Sequence, residues 1–126
     1  MLKLERMSES DFNMVKGKMI SDYAKDKVRV GYWSDRDALE LSKEALDKIL
    51  NDGISTPNHY LLDAYEDEIK VGFIWMNKFN NEIFINNTCI FDEFQEKEYE
   101  LELIELIEEK ANELDVKKIN IHSYGY

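Results

Sequence analysis

The sequence is poor in residues that cross-link or interrupt a small protein, with one cysteine, one proline and five glycines. The single cysteine, Cys89, excludes an internal disulfide and suits a reducing compartment. No segment approaches the roughly 18 consecutive apolar residues that a transmembrane helix needs. Residues 1–6 alternate and lack the apolar region of a signal peptide. We therefore expect a cytoplasmic protein.

Positive charge is also scarce, because 16 Lys and Arg residues oppose 27 Asp and Glu residues and leave a net charge of -11. The segment 92–115 holds 11 of the acidic residues, and its only basic residues are Lys97 and Lys110. A nucleic-acid-binding surface needs a cationic footprint, and anionic membranes attract basic segments. The chain is therefore predicted to bind neither nucleic acid nor membranes.

The periodicity of apolar residues predicts one α/β domain over residues 1–126. Alternation predicts strands over 2–7, 60–65, 69–77, 82–91 and 116–123. Helical spacing predicts a first helix over 8–25 with its cap at Ser8, a second helix with its cap at Ser34, an apolar stripe over 39–50 and an end near 52–53, and a third helix over about 95–115. The order is β-α-α-β-β-β-α-β. The middle strands form an antiparallel meander, and the last helix joins a parallel pair, which gives a mixed sheet covered by helices.

This order, together with three local segments, resembles the Gcn5-related N-acetyltransferase (GNAT) superfamily over the whole chain. The segments are MSESDF at 7–12, VGFIWM at 71–76 and CIFDEFQEKEYELELIELIEEKANELDVKKINIHSYGY at 89–126. Members usually continue with another helix, which often supplies a tyrosine that protonates the leaving thiolate, and with two more strands. This chain stops at Tyr126. The resemblance therefore implies a C-terminally short member, or a fragment of one, that lacks these elements.

The resemblance also implies where acetyl-coenzyme A, the acetyl donor of the superfamily, would bind. In relatives the fourth strand binds the acetyl group and pantetheine through backbone groups, which corresponds here to Asn87, Thr88, Cys89 and Ile90. A following loop of the form Gln/Arg-x-x-Gly-x-Gly/Ala holds the pyrophosphate at a helix N-terminus. Its positions correspond to residues 95–100.

Within that loop Gln95 matches the first position, but Glu98 and Glu100 replace the two small residues. Their side chains are expected to occupy the space of the phosphates and to repel their charge, and the freedom of glycine to adopt positive φ is lost. Carboxylates at a helix N-terminus also stabilise its dipole, so we expect a helix that is capped by its own side chains. Lys97 remains a candidate for contact with one phosphate.

The sequence contains a few further candidates for catalysis, metal binding or acceptor binding. Glu82 lies roughly where some relatives place a glutamate that deprotonates the acceptor amine, and a solvated strand-edge glutamate is the alternative. No Cys, His or carboxylate partner lies at ligand spacing from His59 or His122, so no metal site is predicted. The aromatic residues of the loop 31–34 are expected to pack on the sheet, with an acceptor pocket as the alternative.

Two functions follow. The first, which the residues favour, is a degenerate GNAT protein with an impaired or lost acetyl-coenzyme A site and a binding or assembly role. The second is an active acetyl-coenzyme A-dependent N-acetyltransferase that acts on a primary amine by direct transfer. Without further strands, the strand at 116–123 would expose an unpaired edge. We therefore expect a dimer, another homo-oligomer or a protein partner to cover that edge.

Overall fold

The computed structural model describes residues 1–120, apart from the side chains of Glu96 and Lys97. The strands are β1 (Leu2–Arg6), β2 (His59–Glu66), β3 (Ile69–Phe79), β4 (Glu82–Ile90) and β5 (Lys118–Asn120), and the helices are α1 (Glu9–Arg29), α2 (Ala38–Ile49) and α3 (Glu100–Glu113). The sheet has the order β1-β2-β3-β4-β5, and only β4 and β5 are parallel. The predicted α/β class, element order and mixed sheet are confirmed. The predicted strand 116–123 is described only as far as residue 120.

Helix α1 begins at its predicted start, whereas α2 begins at Ala38, later than the predicted cap at Ser34 implies. Ser8 Oγ accepts a hydrogen bond from the backbone N–H of Asp11, so the predicted cap of α1 is confirmed. The predicted cap of α2 is wrong, because Ser34 Oγ donates to Asp37 Oδ2 and the N-cap Asp37 forms no side-chain capping bond. Helix α1 also extends beyond its predicted end, as far as Arg29.

The sheet separates two hydrophobic clusters. One cluster packs under α3 and includes Ile74, Met76, Ile83, Leu103 and Ile107. The other packs under α1 and α2 and includes Met19, Leu46, Leu61, Phe73 and Trp75. Because β3 is covered on both faces, its central residues are continuously buried. Among residues 1–120, no helix is both long and apolar enough to cross a membrane.

The connection from β4 to the last helix differs from the prediction. Residues 92–97 form a short 3-10 helix, Glu98 adopts the left-handed conformation, and α3 begins only at Glu100. The expected start near Gln95 is therefore wrong. The amphipathic pattern extends through this segment, but a left-handed residue cannot continue a right-handed helix.

Candidate functional site

A cleft lies along β4 between α1 and α3, and it consists of two adjoining cavities. The larger has a volume of about 740 Å³ and the smaller about 460 Å³. Both are lined by Asp22 of α1, Thr88 of β4, and Glu100 and Leu103 of α3. The larger cavity continues along residues 85–87 of β4 and the smaller along residues 89–93. The segment 87–90, which the resemblance assigns to acetyl and pantetheine binding, therefore lines one continuous cleft.

A β-bulge interrupts β4 in this cleft. Trp75 of β3 pairs with Asn87, but the next residue, Met76, pairs with Ile85, which leaves Asn86 as the extra residue. A bulge reverses which side chains face each side of the sheet. Ile85 accordingly packs in the cluster under α3, whereas Cys89 packs in the cluster under α1 and α2. The sequence analysis missed this bulge, although the polar run 86–88 within an apolar strand could have indicated it.

The bulge places Asn87 in an unusual environment. Its exposed fraction is 5%, it lines the larger cavity, and its Nδ2 atom is buried without a hydrogen-bond partner. Its neighbour differs, because Asn86 Nδ2 donates to Asn77 Oδ1 at 2.8 Å. Most buried polar side-chain atoms in proteins have a partner, so this buried amide nitrogen is an exception.

Cys89 and Ile90 also lie where the sequence analysis placed them. Cys89 is buried, and burial raises the pKa of its thiol, which disfavours the nucleophilic thiolate. Ile90 is buried, and its carbonyl oxygen accepts a hydrogen bond from Gln95 Nε2 at 3.0 Å. The Gln95 amide therefore holds the loop against the end of β4. The side chain of Lys97, the remaining candidate in this loop, lies outside the described residues.

The backbone at Glu98 has the conformation that a glycine would favour. Its φ is 57° and its ψ is 42°, which is the left-handed region. The expectation that this conformation is lost without glycine is therefore wrong. The left-handed conformation costs an L-residue about 1–2 kcal/mol. Tertiary contacts of the loop must offset this cost.

We expect Glu98→Gly to raise the free energy of unfolding by about 1 kcal/mol, because glycine adopts this backbone without steric strain. For a domain of this size, the gain corresponds to about 4 °C in Tm. Glu98→Ala removes the same carboxylate but keeps the Cβ, so it should not give this gain. Thermal unfolding of both variants tests the backbone argument, and equal Tm values for the glycine and alanine variants would contradict it.

The N-terminus of α3 is not capped in the expected way. The N-cap residue, Tyr99, forms no side-chain capping bond. The carboxylate of Glu102 accepts from the backbone N–H of Leu2 at 2.8 Å instead, and so joins α3 to β1. Glu100 and Glu102 nevertheless lie in the first turn of α3, where the expected carboxylates can stabilise the helix dipole. An uncapped helix N-terminus leaves backbone donors available to an anion.

The charges near this helix start nevertheless oppose an anion. Asp92, Glu93 and Glu100 line the smaller cavity. Lys18 is the only basic residue among its described lining residues, and it forms an ion pair with Asp22 at 2.8 Å. Of the carboxylates predicted to repel a diphosphate, Glu100 lines this cavity and Glu98 does not, so their effect on binding stays a prediction.

Glu82 lies at the start of β4 and lines neither cavity. Its carboxylate accepts from Asn120 Nδ2 at 3.0 Å and pairs with Lys118 at 3.4 Å. The hydrogen bond from Asn120, followed by the interaction with Lys118, lowers the pKa of Glu82. A carboxylate with a lowered pKa is a weaker base, and the described geometry does not bring Glu82 to the cleft.

The aromatic loop between α1 and α2 packs on α1. The Trp33 and Tyr23 rings are 5.8 Å apart, and Tyr23 in turn contacts Trp75 of the sheet at 6.5 Å. Lys27 Nζ lies 4.8 Å from the centre of the Tyr32 ring. The expected packing therefore reaches the sheet through Tyr23.

Within residues 1–120, no group of three His, Cys, Asp or Glu side chains could hold a metal ion.

Comparisons with known proteins agree with this architecture. The uncharacterised N-acetyltransferase YdgE of Bacillus subtilis is 24% identical over 128 residues, which cover 98% of this chain and 82% of that protein. The uncharacterised N-acetyltransferase YycN of the same organism is 26% identical over 131 residues, which cover 99% and 83%. No protein-family model matches the chain.

Solved structures show the same fold. The crystal structure of YycN superposes with a TM-score of 0.89 at 24% identity and covers 99% of this chain and 83% of that one. The PaiA N-acetyltransferase of Thermoplasma acidophilum, solved in complex with coenzyme A, has a TM-score of 0.63 at 16% identity and covers 92% and 75%. The predicted resemblance to the GNAT superfamily is confirmed.

Proposed function

We propose that this GNAT-like chain is an acetyl-coenzyme A-dependent N-acetyltransferase that acts on a primary amine by direct transfer. Its relatives are named N-acetyltransferases. The observation that carries the proposal is the continuous cleft along β4, which ends at the uncapped N-terminus of α3. A protein that no longer binds a ligand at this site is not expected to keep both an open cleft and a strained left-handed turn.

Different segments of the cleft would bind different parts of acetyl-coenzyme A. Residues 87–90, which line the cleft, would hold the acetyl group and pantetheine. The backbone of residues 96–100 would contact the pyrophosphate, with Gln95 holding the loop in place. When bound, acetyl-coenzyme A would supply an acetyl thioester: a C–N bond to the amine would form as the C–S bond breaks, and coenzyme A would leave as the free thiol with the proton that the amine loses, without an enzyme-bound intermediate.

The carboxylates near α3 are expected to weaken this binding without preventing it. One carboxylate at about 4 Å from a phosphate charge costs roughly 1 kcal/mol in water and about 4 kcal/mol at an effective dielectric constant of 20. Glu98 and Glu100 are exposed, so the smaller figure applies to them. Two such penalties leave room for an affinity in the high micromolar range.

Calorimetric titration with acetyl-coenzyme A tests the proposal. We expect saturable binding, and we expect Glu98→Gly and Glu100→Gln each to raise the affinity about fivefold, which corresponds to about 1 kcal/mol. Glu105→Gln is the matched control, since Glu105 is exposed further along α3, lies outside the loop 95–100 and carries the same charge. Absence of binding at millimolar ligand in the parent and in both variants would refute an acetyltransferase.

That negative result would favour the second candidate, a binding or assembly module that keeps the scaffold without its cofactor. The observation in its favour is the set of acidic side chains that line the smaller cavity. The expected second copy or partner over the strand 116–123 is part of the same proposal. It stays a prediction, because residues from 121 lie outside the described part of the chain.

A further inference from the structure

We propose that the free edge of β1 is an interface at which two copies of this chain pair their β1 strands antiparallel to each other. The register of this pairing is centred on Leu4, and it joins two five-stranded sheets into one continuous sheet. The interface lies at the opposite end of the sheet from the strand 116–123, for which the sequence predicts a partner. It does not depend on the proposed function.

The outer edge of β1 directs backbone donors and acceptors away from the sheet. Because β1 is the first strand in the sheet order, β2 is its only neighbouring strand among the described residues. Met7, just after β1, donates its backbone N–H to β2. Successive residues of a strand direct their backbone groups to opposite sides, so those of Leu4 and Arg6 point away from β2. The hydrogen bond from the Leu2 N–H to Glu102 of α3 agrees with this alternation.

The side chains of β1 are complementary to a second copy of the same strand. In the register centred on Leu4, Lys3 lies opposite Glu5 of the partner subunit, and Glu5 lies opposite Lys3 of the partner subunit. Since the Leu4 backbone groups point outward, the two copies of Leu4 form a hydrogen-bonded pair, and the adjacent charged residues form the more closely spaced type of pair. Opposite charges at directly opposed positions stabilise strand pairing. The two-fold symmetry of the dimer forms this contact twice.

Both charged side chains are accessible to a partner. Lys3 Nζ lies 3.5 Å from Glu5 Oε1 within the chain, and the two side chains are 73% and 51% exposed. An exposed ion pair of this kind contributes little to stability, so its exchange for contacts between subunits costs little.

The signs of these charges favour a second copy over other partners. Charged side chains often protect a strand edge from pairing, but protection from a second copy requires that opposed charges repel. Here they attract, because Lys3 and Glu5 have opposite signs and are placed symmetrically about Leu4. A strand with charges of one sign would instead place a like charge opposite either Lys3 or Glu5.

The size of the interface indicates a weak dimer. The strand β1 has five residues, and Met1, which precedes it, is 95% exposed. Stable specific interfaces bury more than about 1,000 Å², and one short strand edge offers less than this. The net charge of -11 on each chain also opposes association. We therefore expect a dissociation constant in the high micromolar range.

Charge reversal with sedimentation equilibrium at physiological salt tests the interface. Lys3→Glu and Glu5→Lys each place like charges opposite one another, so each should raise the dimer dissociation constant at least about tenfold. An equimolar mixture of the two variants restores opposite charges at both positions, and its dissociation constant should lie within about threefold of the parent's. Lys43→Glu, at an exposed position on α2, makes the same change in charge as Lys3→Glu and is the control. It should change the dissociation constant by less than about twofold.

Three outcomes would overturn the proposal. The first is a parent that stays monomeric at about 1 mM protein, well above the expected dissociation constant. The second is a dimer that resists both single substitutions, which would place the contact on another surface, such as the strand 116–123. The third is a mixture that stays monomeric like the single variants, which would exclude this register. Both substituted side chains are exposed, so the variants should unfold at the parent's Tm, and thermal unfolding checks this.

Discussion

Replacing Gly72 by alanine is expected to lower the free energy of unfolding by about 3 kcal/mol and the Tm by about 10 °C. Gly72 lies on β3 opposite Ile90. A Cβ atom at this position would lie 2.0 Å from the carbonyl oxygen of Cys89 and 3.1 Å from the Cα atom of Ile90. These are backbone atoms, so no side-chain rotation can relieve the clash. Relief requires β4 to move away from β3.

The same movement would displace the segment 87–90 that lines the cleft, so acetyl-coenzyme A affinity should fall together with stability. Gly17→Ala is the matched control. A Cβ at Gly17 meets nothing within 4 Å, and the residue is exposed in α1. Alanine there should raise stability by about 1 kcal/mol through helix propensity. Urea unfolding of both proteins measures the two effects, and an unchanged midpoint for Gly72→Ala would show that the sheet accommodates the Cβ.

Asp63→Asn is expected to raise the free energy of unfolding at pH 8 by up to about 3 kcal/mol, with little effect at pH 4. Asp63 is 1% exposed on β2, and its Oδ1 atom has no hydrogen-bond partner. Burial, followed by a hydrogen bond with Asp11, raises the pKa of Asp63 from 3.8 to about 6. Lys70 lies 3.6 Å from Asp63 Oδ2 but closer, at 3.0 Å, to Asp11 Oδ1.

The direction of this stability change follows because Asp63 binds its proton more tightly in the folded state than in the unfolded state. The protonated Asp63 contributes stability below the unfolded pKa of 3.8, and this contribution is lost as the pH rises through about 6. Asparagine keeps the shape and fixes a neutral side chain, so the gain should appear between pH 4 and pH 7. The figure of 3 kcal/mol is an upper bound, because Lys70 keeps its other partner, Asp11.

Urea unfolding of the parent and Asp63→Asn from pH 4 to pH 8 measures this difference directly. Asp47→Asn serves as the control, because Asp47 pairs with Lys16 at an exposed site. That substitution should change stability by less than about 1 kcal/mol and leave the shape of the pH profile unaltered. Parallel profiles for the parent and Asp63→Asn would mean that Asp63 has an ordinary pKa in the folded protein.

Periodicity along the chain was enough to predict the order of helices and strands and the mixed sheet, whereas the GNAT resemblance also needed the segments 7–12, 71–76 and 89–126. These features depend on which residues recur at spacings of two or of three to four, and that information is local. The turn at Asn80-Asn81 is of the same kind, because both residues adopt positive φ, which asparagine tolerates in two-residue hairpins. Of the loop residues 95–100, Gln95 and Glu100 are among the described residues that line the smaller cavity, and the expected weakening of diphosphate binding by this loop stays a prediction.

Only the tertiary structure determined the backbone conformation and the contacts of individual residues near the cleft. Glu98 adopts a left-handed turn that its side chain disfavours, the carboxylate of Glu102 accepts from a strand 100 residues away, and the β-bulge at Asn86 reverses the alternation at Asn87. Each of these depends on contacts between segments distant in sequence, which can outweigh preferences of about 1 kcal/mol for a single residue. Local pattern therefore determined the elements of this protein, and the packing of β4 between α1 and α3 determined its candidate site.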